Sequence, residues 1–173
     1  MDNGALWVAV LTAGTAVVAS WVTSKGNAQA ARVQAQATAE AEHVAREREA
    51  RRATQLEFIQ EANDMGILYR RIPKYLDVED QAARQASLAE LRDQLRDSYG
   101  PFLRALAVVS LECHPGPVAA ANAVHGATGE AYARLAAAER DIREADGFRR
   151  AAEAYLAAVD AFVVAARRAE HAR

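Results

Sequence analysis

From Asn3 to Ser24 the chain runs 22 residues without a charge, NGALWVAVLTAGTAVVASWVTS. A helix of that length extends roughly 33 Å at about 1.5 Å per residue, close to the hydrocarbon thickness of a bilayer. Trp7 and Trp21 stand near its two ends, where indoles favour the membrane interface, and Lys25 follows at the polar boundary. The run is moderately apolar, because Thr12, Thr15, Ser20 and several alanines dilute Leu6, Val8, Val10, Leu11, Val17, Val18 and Val22. Two other readings compete. A buried helix of a soluble bundle accommodates alanine equally well, and a cleaved signal peptide is also apolar. The latter wants a basic leader and a shorter apolar stretch, whereas this leader is Met1-Asp2-Asn3. The pattern predicts a single transmembrane anchor over residues 1–24.

The flanking charges orient that anchor. Asp2 precedes it, whereas Lys25, Arg32, Arg46 and Arg48 follow. Positive charge stays on the cytoplasmic side, so the N-terminus is expected outside and the remainder inside, at the cell (inner) membrane. A single unpaired cysteine, Cys113, fits a reducing compartment. Small residues recur every four positions as Ala5, Ala9 and Ala13, and again as Thr12, Ala16 and Ser20. Such ladders allow close helix packing in lipid, so the expected partners are the bilayer and a second copy of the chain.

After Gly26 no proline occurs until Pro73, and the intervening residues are mostly Ala, Gln, Glu and Arg, all strong helix formers. Residues 25–53 are predicted to form a helical stalk, with Glu42–Arg46 and Glu47–Arg51 at the favourable i,i+4 spacing. Seven-residue spacing selects Ala30, Ala37, Val44, Arg51, Phe58 and Met65, beside a second row of Ala41, Arg48, Gln55 and Ala62. Arginines interrupt both rows, so a coiled coil and a solvated helix both remain open.

Residues 54–173 are predicted to form a cytoplasmic antiparallel helical bundle, making the whole chain all-α. Alanine supplies 43 of the 173 residues and no strand-like alternation persists. The first apolar face carries Leu56, Phe58, Ile59, Ala62, Met65, Leu68, Tyr69 and Ile72, ending at Pro73, with an N-cap for the next helix at Asp80. The second face is Leu88, Leu91, Leu95, Tyr99, Phe102, Leu106, Val109 and Cys113. It keeps phase through Gly100-Pro101, so one helix kinked at that proline is expected. A third helix starts near Pro117 and carries Val124, Ala127, Ala131, Leu135, Ala138 and Ile142. Gly126 and Gly129 either weaken it or permit close packing. Asp146-Gly147 reads as the next turn, and the fourth helix presents Phe148, Ala152, Tyr155, Val159, Phe162 and Ala166.

Chemistry-bearing residues are sparse. His43, His114, His125 and His171 include no i,i+4 pair. Glu112-Cys113-His114 is the best reactive grouping, but neighbours on a helix point in different directions, and Cys113 continues an apolar stripe. The acidic groups Asp77, Glu79, Asp80 and Asp141, Glu144, Asp146 sit where caps and turns are expected. No phosphate loop, nucleophile elbow, HExxH or EF-hand pattern occurs. A net charge of −2 argues against nucleic acid as a partner. No catalytic residue, metal ligand or cofactor is assigned.

The stretches ARVQAQATAEAEHVAREREARRATQLEFIQEAN, VVSLECHPGPVAAANAV and AAEAYLAAVDAFVVAARR resemble a loose set of small, uncharacterised bacterial and phage-encoded membrane proteins. These have one N-terminal membrane helix, an Ala/Gln/Arg/Glu-rich stalk and a helical C-terminal domain. The layout is also similar to the b subunit of the bacterial ATP synthase stalk, from which Pro73, Pro101 and Pro115-Gly116-Pro117 depart. The expected function is that of a non-enzymatic scaffold, tether or oligomerising interaction module whose bundle meets a protein partner. The alternative is a membrane-active lysis or exclusion factor of phage type, acting through an oligomerising span.

Overall fold

The computed structural model describes residues 3–171, with side chains described for Gln29 and for 31–171. The described residues form four α-helices: α1 (Asn3–Leu76), α2 (Gln81–Glu112), α3 (Pro115–Arg140) and α4 (Ala145–His171). A 3₁₀ turn at Ile142–Glu144 precedes α4. The described residues contain no strand. They divide into two compact units, Met1–Glu47 and Arg48–Arg173.

The first unit belongs to α1. Its described side chains, Gln29 and 31–47, are all exposed, Val33 and Val44 among them. Glu42 pairs with Arg46 at 3.8 Å and His43 meets Glu47 at 3.3 Å, contacts that add little stability in water. Among the described residues no helix is long and apolar enough to cross a membrane. The side chains of the uncharged run 3–24, including Trp7, Trp21, Ala5, Ala9, Ala13, Ala16 and Ser20, and that of Lys25, lie outside the described residues.

The second unit is a four-helix bundle, to which α1 contributes residues 48–76. Chain directions follow from who meets whom. Thr54 meets Glu112, Phe58 meets Phe102 and Arg71 meets Gln94, so α1 and α2 are antiparallel. Tyr99 meets His125 and Arg92 meets Glu139, which makes α2 and α3 antiparallel. Phe58 with Phe162, Ala62 with Tyr155 and Tyr69 with Phe148 set α4 antiparallel to α1. The result is up-down-up-down topology with short connections.

The core is aromatic where α1, α2 and α4 meet and alanine-rich along α3. The Phe58 ring lies tilted 5.4 Å from Phe102 and 4.6 Å from Phe162, and all three are fully buried. The six apolar residues expected along α4 are all buried. So are Leu88, Leu91, Leu95, Phe102, Leu106 and Val109 of α2, in register through Pro101. An interior proline costs about 3 kcal/mol. Burying Phe102, Leu106 and Val109 beyond it contributes about 1.5–3 kcal/mol each, so one unbroken helix wins.

Five boundary or facing expectations are corrected. Pro73 does not end α1, which continues to Leu76. Ile72 and Leu76 are both buried one turn apart, and Asp77 N–H donates to the Pro73 carbonyl at 3.3 Å. Leu56 is 56% exposed. The buried face of α1 runs instead through Gln55, Phe58, Ala62, Met65, Tyr69, Ile72 and Leu76 in alternating three- and four-residue steps. Helix α3 starts at Pro115, earlier than expected, because proline at the first helical position needs no N–H partner. It stops at Arg140, leaving Ile142 exposed in the 3₁₀ turn. The turn into α4 is made at Asp141, whose side chain accepts from Arg143 N–H at 3.0 Å, while Asp146 and Gly147 already lie inside α4.

Candidate functional site

The Glu112-Cys113-His114 grouping is a helix end held from across the bundle. Cys113 caps α2, its N–H donating to the Val109 carbonyl at 3.0 Å, and its side chain is half-buried against the core. Gln55 Nε2 donates to Sγ at 3.9 Å, and Thr54 Oγ1 donates to Glu112 Oε2 at 2.7 Å. Burial pushes the thiol above its ordinary range and Glu112 adds to that, against the opposing pull of the Gln55 hydrogen bond and the Arg51 charge. An activated nucleophile needs the opposite shift. His114 begins α3 without a side-chain cap, so the thiol's hydrogen-bond partner is Gln55 rather than an imidazole.

The acidic groups are occupied by architecture. Asp80 caps α2, accepting from Ala82 N–H at 2.9 Å and from Ala83 N–H at 3.5 Å. Asp141 takes a forked pair from Arg143, which holds its carboxyl below the usual range. Arg149 joins the two acidic stretches, with one terminal nitrogen on Asp146 at 2.7 Å and the other on Asp77. Among the described residues no group of three or more His, Cys, Asp or Glu is placed to hold a metal ion.

What the tertiary structure assembles, and periodicity did not reveal, is a tyrosine-lined hollow of about 290 Å³ between α1, α2 and α3. Its floor consists of buried Met65 and Tyr69 from α1, Leu95 from α2 and Thr128 from α3. The hydroxyl donors of that floor are already committed. Tyr69 Oη donates to the Thr128 carbonyl at 3.3 Å, and Thr128 Oγ1 donates to the Val124 carbonyl at 3.1 Å. Burial, reinforced by the nearby Tyr99 and Tyr132 phenols, holds the Tyr69 hydroxyl above its ordinary range and therefore neutral.

The rim is more polar. Tyr99 is half-buried and its hydroxyl meets His125 Nε2 at 3.0 Å, with the two rings stacked at 6.2 Å. Tyr132 is 39% exposed. Arg96 contributes a guanidinium whose NH1 lies 3.0 Å from Asp93 Oδ1. Gly129 completes the opening, and a Cβ there would meet nothing within 4 Å. Gly126 is equally open, so neither glycine serves close packing. The sequence signal for the hollow was faint: a bare glycine three residues before an off-stripe tyrosine on α3, facing helices that bring Tyr69 and Tyr99.

Comparison with protein-family models, curated proteins and solved structures finds no match to this chain.

Proposed function

We propose that this chain is a non-enzymatic, single-pass membrane protein that holds a helical bundle at the cytoplasmic face, as a scaffold or tether for a protein partner. The observation that carries the reading is that, among the described residues, the buried ones run from Thr54 to Ala166. The 22-residue uncharged run at 3–24 belongs to the other compact unit, Met1–Glu47. Its length, its terminal tryptophans and the cations that follow then favour lipid, with the N-terminus outside. The exposed, charge-paired residues 31–47 suit a stalk between the two. A half-buried thiol whose ionisation is disfavoured and structurally committed acids favour a binding role over catalysis at these positions.

Crosslinking of the full-length protein in intact cells, followed by mass spectrometry of the membrane fraction, tests this. The expected result is recovery with membranes after alkaline carbonate washing, and one dominant foreign protein joined to residues of the bundle. Release of the full-length chain by carbonate would overturn the anchor. A ladder of self-adducts joined through residues 3–24, with no foreign partner, would overturn the tether in favour of an oligomerising, membrane-active protein.

A further inference from the structure

We infer that the hollow between α1, α2 and α3 is a binding site for a small aromatic carboxylate. Its volume of about 290 Å³ lies at the small end of ligand pockets, which suits one or two rings rather than a nucleotide-sized cofactor.

The chemistry of floor and rim selects the ligand class. The Tyr69 hydroxyl and the Thr128 hydroxyl both donate to backbone carbonyls, so the floor offers a ligand no spare donor. A hydrogen-bond acceptor placed there, a carboxylate above all, would lose its hydration without replacement. The inserted part should therefore carry no acceptor, which an apolar ring satisfies. Rings surround it: Tyr69 below, with Tyr99 and Tyr132 at the sides, beside the Met65 thioether. These surfaces favour an aromatic body through edge and face contacts and through sulfur–ring contact.

The rim supplies charge recognition. Arg96 has five N–H donors, of which the NH1 group meets Asp93. The remaining donors are available to a carboxylate at the mouth. The Tyr132 hydroxyl stands at the same opening, and among the described residues it has no hydrogen-bond partner within the chain. At Gly129, on the rim, an added Cβ would meet nothing within 4 Å, so there is open space at the mouth.

The test titrates the full-length protein with 2-naphthoate by isothermal calorimetry, in parallel with its neutral amide and with octanoate. The expected result is 2-naphthoate binding with Kd of about 10–100 µM. The amide should bind about tenfold more weakly, since it forfeits the charge-assisted hydrogen bond. Octanoate should also be weaker. Arg96→Gln should weaken 2-naphthoate about tenfold. That side chain is 65% exposed, so the substitution leaves the core intact. Gly129→Leu should abolish binding by filling the mouth while retaining helical circular dichroism. If Gly129→Leu fails to fold, the Arg96→Gln comparison still decides. Absence of 2-naphthoate binding at millimolar concentration, equal binding by Arg96→Gln, or tighter binding of octanoate would each overturn the assignment.

Discussion

Tyr69 and Tyr155 sit fully buried with rings 4.9 Å apart in an edge contact, and each hydroxyl keeps a backbone acceptor. Tyr155 Oη donates to the Ala62 carbonyl at 2.6 Å, tying α4 to α1. Burial foremost, and then the neighbouring phenols, hold both hydroxyls above their ordinary value of 10.0. The folded chain therefore retains protons that the unfolded chain releases. Its stability should be full below about pH 10 and should fall as pH rises further, by up to about 1.4 kcal/mol per unit per tyrosine. Tyr155→Phe should cost about 1–2 kcal/mol at neutral pH and flatten that alkaline decline. Urea unfolding between pH 7 and about 11.5 checks both, and an unchanged slope would exclude Tyr155 as its source. Glycines give a second comparison. A Cβ at Gly66 would lie 3.1 Å from Leu156 Cδ2, whereas at Gly126 it would touch nothing. Gly126→Ala should gain about 0.5–1 kcal/mol from helix propensity. Gly66→Ala should gain less or lose, because α1 and α4 approach closely there.

At the level of elements, the faces of α2 and α4 are legible in the sequence, whereas most helix ends are not. The α4 stripe was read correctly at all six positions because a 3.6-residue period leaves one stripe to bury. Local propensity makes Pro73 a stop, whereas burial of Ile72 and Leu76 keeps the last turn in place. Similarly, Asp146-Gly147 looked like a turn, but the Asp141 cap had already turned the chain. Caps are decided by which side chain reaches which orphan N–H, and several candidates in one acidic stretch make that ambiguous. Asp80 was legible because only helix-forming residues follow it. Asp80→Ala should cost about 1 kcal/mol, read as a lower melting temperature. An unchanged melting temperature would mean that α2 begins independently of its cap.

For the whole molecule, the division at Glu47–Arg48 together with the position of the core predicts that residues 48–173 fold alone. That fragment should be helical and unfold in one cooperative transition, with coincident circular dichroism and tyrosine fluorescence. A gradual, non-coincident melt would show that the core needs more of the chain. The sequence by itself determined the all-α class, the stripes of α2 and α4, the Asp80 cap and the uncharged run, because each depends on spacing along one segment. Only the tertiary structure decided the burial of Gln55 beneath the α2 terminus, the exposure of Leu56 and Ile142, and the tyrosine-lined hollow. Those depend on residues dozens of positions apart meeting across helices, and a one-dimensional period identifies a face without naming what that face will touch.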